Sequence, residues 1–554
     1  MFRLHCSKEL KNKEFNMKKI FILFFAFIFT LILFTSQTYA ITSALNLPDD
    51  FIWEGEEVNV YYDKDLSKFV SDFIIEDHKI ENAGVDYFVS KTGSDSNDGL
   101  TIETALASIQ TALGKVDAET IYVDSGTYNR DFGFNGAVYN GIDVNIIGLA
   151  DDVIVTAGTT SSTWTKTEGY TNIYNFSRTG VNDIRDSLYL DADGEWAQYS
   201  LVLDAATADT TPGSYYYDGT IVYIHPFESR AADLDIHMMI LAQNLRVENS
   251  SIYLENIKIY GGALVFRPIS STVFMKDVEI KYASTYNGLQ SEMSNVYSVN
   301  VEASHNKADG FNYHNTDPLI RKYVIEIDST GHNNGVNNTT YINNGSSSHE
   351  MTSVIRVNGT YYGNKGPNVI DVGQAQSINY GTNAYSSIAD DELDPLSNVN
   401  YAIDQVTEFN KMWLINAISS GSTYDYWTDK TNIFDLTYFY VAFVTNGGTA
   451  LNDLFILDAD IVEYPPLTGK ATFTFGGWYL DQTLSNPFSF STTAIESDTT
   501  LYARWVPQSL STGIVIGGTK LTTLQVSMIL VGTMLIGYVA FDAMIIKKGK
   551  GRKR

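Results

Sequence analysis

Short groups of alternating apolar and polar residues recur along the middle of the chain. Each group places one polar residue between two apolar or β-branched residues, as in Ile257-Lys258-Ile259 and Val278-Glu279-Ile280. The pattern returns at residues 299–301, 325–327, 355–357 and 378–380, so the successive spacings are 21, 21, 26, 30 and 23 residues. Alternation of this kind predicts strands that bury one face.

Strands this short are not stable alone, so they must belong to a larger repeat. A glycine follows several of the groups by about ten residues, at Gly288, Gly310, Gly335 and Gly366. Each unit is therefore predicted to contain a strand, a turn, a second strand and a return. Stacked units would pair every strand with the coils above and below and close a continuous core. Loop asparagines such as Asn306 and Asn334 would stack and bond along this solenoid.

Apolar segments near both ends of the chain indicate export and anchoring. Residues 17–40 run from Met17-Lys18-Lys19 through an apolar stretch to Thr38-Tyr39-Ala40, which is typical of a secretory signal peptide. Residues 524–546 form a 23-residue apolar segment. As a helix this segment would reach roughly 35 Å, enough to cross a bilayer. The basic tail after it is expected to stay cytoplasmic.

Charge is distributed unevenly along the chain. The whole sequence has 65 acidic and 37 basic residues, a net charge of -28. Residues 41–546 alone hold 63 acidic and 25 basic residues, so the exported body is near -38. This excess disfavours a nucleic-acid partner. The single cysteine, Cys6, excludes an intramolecular disulfide and a cysteine-based zinc site.

The start of the repetitive region resembles a known family. The segments are Tyr87-Phe88-Val89-Ser90, Gly93-Ser94-Asp95-Ser96-Asn97-Asp98-Gly99-Leu100, Ala105–Leu113, Thr120-Ile121-Tyr122-Val123 and Gly126-Thr127-Tyr128. Together they are similar to the opening of bacterial pectate-lyase-like right-handed parallel β-helix proteins. The resemblance implies a single-stranded solenoid over residues 85–438. It also implies that Ala105–Leu113 is an amphipathic helix covering the first coil.

A second resemblance covers a shorter region. Asn446-Gly447-Gly448-Thr449, Phe475-Gly476-Gly477-Trp478-Tyr479 and Thr500-Leu501-Tyr502-Ala503-Arg504-Trp505 are similar to the internalin B-repeat family. The resemblance implies a small β-grasp-like module of the kind found on bacterial surface proteins. The two tryptophans are expected to pack in its core.

The sequence therefore predicts an all-β protein with a C-terminal transmembrane helix. The expected layout is a signal peptide (1–40), a segment of unassigned fold (41–84), a β-helix (85–438), a B-repeat module (439–506), a linker (507–523), a transmembrane helix (524–546) and a cytoplasmic tail (547–554).

Histidines and acids cluster in the later repeats, and this cluster supplies the candidate chemistry. A polysaccharide lyase needs a base and often a calcium ion, which acidifies the proton beside a sugar carboxylate. The candidate catalytic residues are Asp309, His332 and Lys365, with Lys307 as another possible base, and the candidate calcium ligands are Asp309 and Asp371. A glycosidase would need two carboxylates, for which Asp309 with Asp328 or Glu350 is the alternative.

We interpret the sequence as a membrane-anchored cell-surface protein that binds extracellular polysaccharide. The numerous tyrosines are expected to stack on sugar rings and support this interpretation. Whether the protein also cleaves the polysaccharide, as a lyase or a hydrolase, is left open. The alternatives are a non-catalytic adhesin and a structural surface rod. A strongly acidic body would repel polyuronates unless cations intervene, which favours calcium or a neutral glycan.

Overall fold

The computed structural model describes residues 42–266, 271–336, 343–388, 398–422, 424–426, 432–462, 468–490, 492–508, 514–516 and 519–521. The predicted signal peptide and the predicted transmembrane segment lie outside these ranges. Within them, no helix is long and apolar enough to cross a membrane. The chain divides into two compact units, Met1–Tyr438 and Phe439–Arg554.

The first unit is built around a parallel β-helix with three faces. Face one contains the strands Val85–Val89, Ala118–Val123, Asp143–Gly148, Ser251–Tyr260, Thr272–Lys281, Asn295–Ser304, Lys322–Ile327, Thr352–Val357, Gln376–Tyr380, Lys411–Ile415 and Ile433–Leu436. Face two contains Gly126–Tyr128, Val153–Thr156, the ends of the three ten-residue strands of face one, Thr330–His332, Thr360–Tyr362, Asn383–Tyr385 and Ile418–Ser420. Face three contains Val138–Asn140, Gln243–Glu248, Ala263–Phe266, Leu289–Glu292, Phe311–His314, Ser346–His349, Val369–Val372, Val399–Asp404 and Tyr424–Tyr426. The prediction of an all-β chain with parallel, coiled strands is confirmed.

Left-handed residues turn the chain at the corners between faces. The first corner, between faces one and two, has positive φ at Asn256, Asp277, Asn300, Asp328, Asn358, Gly381 and Asn416. The second corner, between faces two and three, has positive φ at Gly261, Tyr282, His305, Asn333, Gly363, Ser386 and Gly421. Asn, Asp and Gly tolerate this conformation best, which explains their recurrence at the bends. Tyr282 and Ser386 adopt it without that advantage.

A ladder of buried asparagine amides follows the second corner. The Nδ2 of Asn306 donates to Oδ1 of Asn334 at 3.1 Å, and Asn334 donates to Asn364 at 2.9 Å. Asn364 donates to Asn368, which donates to Asn400, both at 2.8 Å. These side chains are buried, so each amide depends on its neighbour for hydrogen bonds. The predicted stacking of Asn306 and Asn334 is present.

The interior of the solenoid is apolar through most coils and becomes polar in the later ones. Its apolar part is made of aliphatic residues from all three faces, such as Ile146 of face one, Val155 of face two and Leu264 of face three. In later coils, fully buried Glu326 and Arg356 form an ion pair at 3.2 Å. Arg356 also donates to Ser346 Oγ at 2.8 Å. A buried pair of this kind is stable only when such further hydrogen bonds satisfy its remaining atoms.

Residues 42–80, whose fold the sequence left unassigned, lie along the outside of the solenoid. They form the strands Val60–Asp63 and Lys68–Ser71, paired antiparallel, and a short 3₁₀ helix, Ile75–His78. Their aromatic rings contact face one at Trp413 (from Phe51, 5.8 Å), Tyr323 (from Trp53, 5.3 Å), Tyr380 (from Phe69, 5.6 Å) and Phe274 (from His78, 4.7 Å). This segment therefore covers an aromatic surface that spans many coils.

A separately folded module interrupts the solenoid between faces two and three of an early coil. It contains the strands Gly158–Thr159, Thr165–Lys166, Tyr174–Ser177, Asp183–Leu190, Trp196–Gln198, Ser200–Leu201, Ser214–Tyr217, Ile221–His225 and Ile236–Met239, the helix Ala205–Thr210 and the 3₁₀ turn Phe227–Ser229. Most of its strand pairs are antiparallel. Its own core includes Ile184, Tyr215 and Ile224. We call residues 158–239 the inserted module; the sequence had predicted uninterrupted coils here.

The first coil is capped by a helix that is shorter than expected. The helix covers Ile109–Leu113, after a 3₁₀ turn at Ile102–Thr104, whereas the resemblance implied a start at Ala105. The backbone N–H groups of Ala107 and Ser108 donate to the carboxylate of Asp95, each at 2.9 Å, which holds that segment extended. The buried side of the helix still packs on the core.

The second unit contains the strands Tyr438–Val444, Leu454–Leu457, Phe473–Tyr479, Thr499–Pro507, Ile514–Ile516 and Thr519–Leu521. The first four form one sheet, in which Tyr438–Val444 and Thr499–Pro507 pair in parallel. Trp478 is buried in its core, and the indole N–H of Trp505 donates to the carbonyl of Thr445 at 2.7 Å. Both tryptophans thus have structural contacts, as expected.

The amide ladder makes a first testable prediction. Substitution Asn334→Ala leaves the backbone N–H of Asn306 without its acceptor, and it removes one hydrogen bond each from Nδ2 of Asn306 and Oδ1 of Asn364. We expect a loss of about 2–4 kcal/mol in the free energy of unfolding, measured by urea denaturation. The matched control is Asn140→Ala, at an exposed strand position, which should change stability by less than about 0.5 kcal/mol. Equal effects of the two substitutions would contradict a stabilising role for the ladder.

Candidate functional site

A groove lies where the inserted module meets the second corner of the solenoid. It encloses about 480 Å³, within the range of small-molecule sites. The module contributes Asp183, Arg185, Asp191 and Asp193, and the solenoid contributes Tyr282, His305, Lys307 and Asn333. The left-handed backbone at Tyr282, His305 and Asn333 places these side chains at the corner, and the amide ladder that starts at Asn306 fixes their spacing.

A cluster of fixed charges adjoins the groove. The Lys281 ammonium lies 2.8 Å from Glu195 of the inserted module and 2.8 Å from Glu302. Burial opposes the charge on Lys281, but the two carboxylates outweigh it and raise the pKa of the lysine. Burial would raise the pKa of Glu302, yet His332 and Lys281 hold it well below its usual range. Both groups therefore remain charged near neutral pH.

Aromatic and guanidinium contacts join the module to the solenoid at the same place. The Arg185 guanidinium lies 4.2 Å from the centre of the Tyr282 ring, and its Nε bonds to Asp183 at 3.0 Å. The Tyr282 hydroxyl donates to Glu195. Trp196 packs edge-on against Tyr260 at 5.0 Å. These contacts fix the groove wall, because the inserted module and the solenoid hold each other in place there.

His305 contributes a neutral imidazole to the groove. Burial lowers its pKa to about 4, although the charge of Glu195 opposes this shift. Its Nδ1 is buried and has no hydrogen-bond partner within the described part of the chain, and its Nε2 lies 3.4 Å from Nδ2 of Asn333. A neutral imidazole has one nitrogen that accepts and one that donates a hydrogen bond. His305 is thus equipped to bond a hydroxyl group in the groove.

Two acids of the inserted module face His305. Asp191 accepts hydrogen bonds from the backbone N–H groups of Asp193 and Glu195, at 2.9 and 3.0 Å, which closes a tight turn. This turn brings oxygen atoms of both aspartates and a ring nitrogen of His305 within 4.8 Å of one another. The groove therefore combines exposed acceptors with a neutral imidazole.

Of the predicted catalytic residues, His332 lies nearest to this constellation. Its Nε2 bonds to Glu302 at 2.9 Å, and its ring contacts His305 edge-on at 5.5 Å. Its other face stacks on Tyr362 at 4.6 Å. His332 therefore belongs to the charged cluster beside the groove, where it holds Glu302. A role as a base stays a prediction.

The other two predicted catalytic residues lie in buried positions. Lys365 follows the ladder residue Asn364 and is 6% exposed; its backbone N–H donates to the Asn334 carbonyl at 3.1 Å. Asp309 is also 6% exposed and accepts hydrogen bonds from Asn312 at 2.7 Å and Ser347 at 2.8 Å. Burial raises the pKa of Asp309. The structure does not bring Asp309 to the groove.

The predicted calcium pair, Asp309 and Asp371, is separated by a strand. Ser347 donates to Asp309, whereas the next residue, Ser348, donates to Asp371. Consecutive side chains on a strand point to opposite faces, so the two carboxylates do not converge. Asp371 lies inside the solenoid with the Arg356 charge, and burial raises its pKa.

The alternative carboxylate pairs do not gather in the groove either. Asp328 sits at the first corner, 3.7 Å from Lys68 of the N-terminal segment. Glu350 follows the last residue of the face-three strand Ser346–His349 and lies 3.5 Å from His314. Neither alternative pair lies in the groove, whose acids are instead Asp183, Asp191 and Asp193.

Sequence reasoning missed the acids and arginine of the inserted module. Their local signal is the run Asp191-Ala192-Asp193-Gly194-Glu195, in which Gly194 has φ +84°. The expectation about tyrosines was also wrong in part. Many of them, including Tyr128, Tyr253, Tyr297 and Tyr401, are among the largest fully buried side chains, so they are not available to stack on a ligand.

Comparisons with known proteins bear on separate parts of the chain. Residues 439–504 match the Listeria-Bacteroides repeat domain. A putative membrane protein of Evansella cellulosilytica is 32% identical over 72 residues, 13% of this chain and 11% of that protein. A putative Gly-rich membrane protein of the same organism is also 32% identical over 72 residues, 8% of its length. The chain thus spans about a tenth of each of these relatives.

Solved structures share features of the fold at low sequence identity. A structure titled as a glycoside hydrolase has a TM-score of 0.39 at 9% identity, covering 63% of this chain and 96% of that one. XylC in complex with xylose has a TM-score of 0.35 at 9% identity, covering 67% and 73%. Pectate lyase Pel9A has a TM-score of 0.32 at 12% identity, covering 63% and 78%.

The depressed pKa of His305 predicts a pH effect on stability. Between about pH 6.5 and 4 the unfolded chain takes up a proton at this residue that the folded chain does not, so stability falls as pH falls. In His305→Gln the decline from pH 7 to pH 5 should be shallower, by up to about 1.4 kcal/mol per pH unit. Urea denaturation at several pH values measures this slope. Between pH 7.5 and 8.5 the slopes of the two proteins should coincide; a parallel decline below pH 6.5 would contradict the assignment.

Proposed function

We propose that this protein binds a neutral extracellular polysaccharide in the groove between the inserted module and the solenoid. The observation that carries the proposal is the polar lining of the groove, in which the acceptors Asp191 and Asp193 face the neutral imidazole of His305. Sugar hydroxyls both donate and accept hydrogen bonds, and this lining offers partners of both kinds.

The charge of the lining favours a neutral glycan over an acidic one. Three carboxylates (Asp183, Asp191, Asp193) stand against two cations (Arg185, Lys307). Arg185 is already paired with Asp183 at 3.0 Å. A uronate or phosphate would therefore meet exposed acids first, which supports a ligand without charge. The polar character of the walls also disfavours an apolar ligand.

The charges in and beside the groove favour binding over cleavage. A glycosidase acid needs a carboxyl group with a raised pKa, and a lyase needs an acidic sugar as substrate, which this lining disfavours. Beside the groove, the pKa of Glu302 is lowered and that of Lys281 is raised, so both charges are fixed. The carboxyls with raised pKa, Asp309 and Asp371, are sequestered in other hydrogen-bonded networks. A binding protein of the adhesin type is thus the better-supported form of the proposal.

Export and anchoring belong to the proposal as well. The signal-peptide pattern of residues 1–40 and the apolar segment 524–546 with its basic tail support a chain exposed outside the cell. An acidic body near -38 suits a soluble extracellular portion. Along the sequence, the second unit comes after the proposed binding unit and before the proposed membrane segment.

The groove predicts which residue controls glycan binding. Asp193→Asn keeps the size of the side chain and removes an exposed charged acceptor, so affinity for a neutral glycan should fall about tenfold, which corresponds to about 1.4 kcal/mol. The measurement is affinity electrophoresis of the protein against neutral glucans, xylans and galactans, with polygalacturonate for comparison. The matched control, Asp49→Asn, changes another exposed aspartate outside the groove lining and should bind as the unaltered protein does.

The same incubations distinguish binding from catalysis. Retention by a neutral glycan without new reducing ends or unsaturated uronides supports a binding protein. New reducing ends would instead make the protein a hydrolase, and absorbance of unsaturated products would make it a lyase. Retention by none of the neutral polymers, or equal loss in both variants, would overturn the assignment of the groove.

The proposed anchor is tested by truncation in a bacterial host. The full chain should sediment with membranes, and protease added to intact cells should degrade its main body. A chain ending at residue 523 should be released into the medium, because the apolar segment and basic tail are removed. Release of both chains, or protection of both inside the cell, would contradict the proposed topology.

A further inference from the structure

A second group of ligand-type side chains lies away from the groove, at the ends of two strands of face three. The strands Phe311–His314 and Ser346–His349 pair in parallel, with Phe311 opposite Ser346 and Tyr313 opposite Ser348. This register brings the last residues, His314 and His349, side by side. Their imidazole rings stack with centroids 4.0 Å apart and planes 12° apart.

The next residue, Glu350, turns its carboxylate toward the same pair. Its backbone is left-handed, with φ +49°, which bends the chain at the end of the strand. Its Oε2 lies 3.5 Å from Nδ1 of His314, too long for a good hydrogen bond. This oxygen is buried and has no hydrogen-bond partner among the residues that the structure describes. A buried carboxylate oxygen without a donor is costly, so its position calls for a cation.

The three side chains offer the atom types that bind metal ions in proteins, namely imidazole nitrogens from His314 and His349 and a carboxylate oxygen from Glu350.

Packed polar groups support the histidine pair from below. Asn312 Nδ2 lies 3.4 Å from Nε2 of His349 and donates to Asp309 at 2.7 Å. Asp309 in turn accepts from Ser347 and from the backbone N–H of Asn344, each at 2.8 Å. Asp309 thus has a supporting place behind this cluster.

We propose that His314, His349 and Glu350 bind a divalent transition-metal ion of the zinc type. One ligand atom from each of the three residues lies within 4.8 Å of the others. Tetrahedral zinc with ligands at about 2.1 Å requires separations of about 3.4 Å, which small side-chain rotations supply. The side chains of His314 and Glu350 are 34% and 44% exposed, which leaves solvent access for the ion and a fourth ligand.

The ligand set selects against calcium and magnesium. Those ions prefer oxygen ligands, whereas two imidazoles and one carboxylate suit zinc and its neighbours. The ion would join two successive coils at the ends of their strands, so it would stabilise the solenoid. This role is independent of glycan binding at the second corner.

The test is zinc binding to the full-length protein purified without a histidine tag. Equilibrium dialysis at pH 7.5 should find a site that millimolar Ca²⁺ or Mg²⁺ does not occupy. Co²⁺ in its place should give the visible absorption of a tetrahedral or five-coordinate site. His314→Ala and, separately, Glu350→Gln should weaken zinc binding at least tenfold, with the melting temperature no longer raised by zinc.

The matched control separates this site from the acids of the groove. Asp193→Asn removes a possible ligand near His305 and should leave zinc affinity unchanged. Because His314 and Glu350 are partly exposed, both variants are expected to fold, and circular dichroism verifies that they do. Absence of zinc binding, undiminished binding in His314→Ala, or loss of binding in Asp193→Asn would each overturn the proposal.

Discussion

The chain of buried amides from Asn306 to Asn400 is the constraint on which the groove depends. Three of its four bonds join one coil to the next, and the fourth, from Asn364 to Asn368, lies within a coil, so a shift of one residue between these coils would leave buried polar groups unpaired. The ladder therefore fixes the register of successive coils. The left-handed residues just before it, His305 and Asn333, take their spacing from the same bonds, so groove geometry is a consequence of coil packing.

The polar interior of the later coils also fixes their register, because a buried charge that lost its partner would cost free energy. Glu326 and Arg356 are both fully buried, and Asp371 lies in the same network. An ion pair in this environment contributes little net stability, but removing one partner leaves a buried charge that costs about 3–5 kcal/mol. Slippage of a coil would have the same effect. The interior thus penalises wrong stacking where apolar side chains alone would tolerate it.

The sequence predicted the parts of the fold that repeat. Alternating groups such as Ile257-Lys258-Ile259 locate the strands of face one, because burial of one face leaves a period of two. The inserted module has no repeat and was missed, although Tyr217-Asp218-Gly219 between two apolar runs is a hairpin signal. Candidate residues were chosen as loop acids and bases, but the coils are so tightly wound that Asp309, Lys365 and Asp371 are buried. Only three-dimensional packing shows that Asp191 and Arg185 face His305.

The two proposed sites are linked by one short piece of chain. Residues 305–314 begin at the second corner with His305, pass through the ladder residue Asn306 and end on face three with His314. The same length of backbone therefore carries one groove residue and one proposed metal ligand. An ion held by His314 and His349 would tie this coil to the next at one end, while the bond from Asn306 to Asn334 ties the same coils at the other. Two ties, at the two ends of residues 306–314, would restrain both sliding and tilting of this coil against the next one.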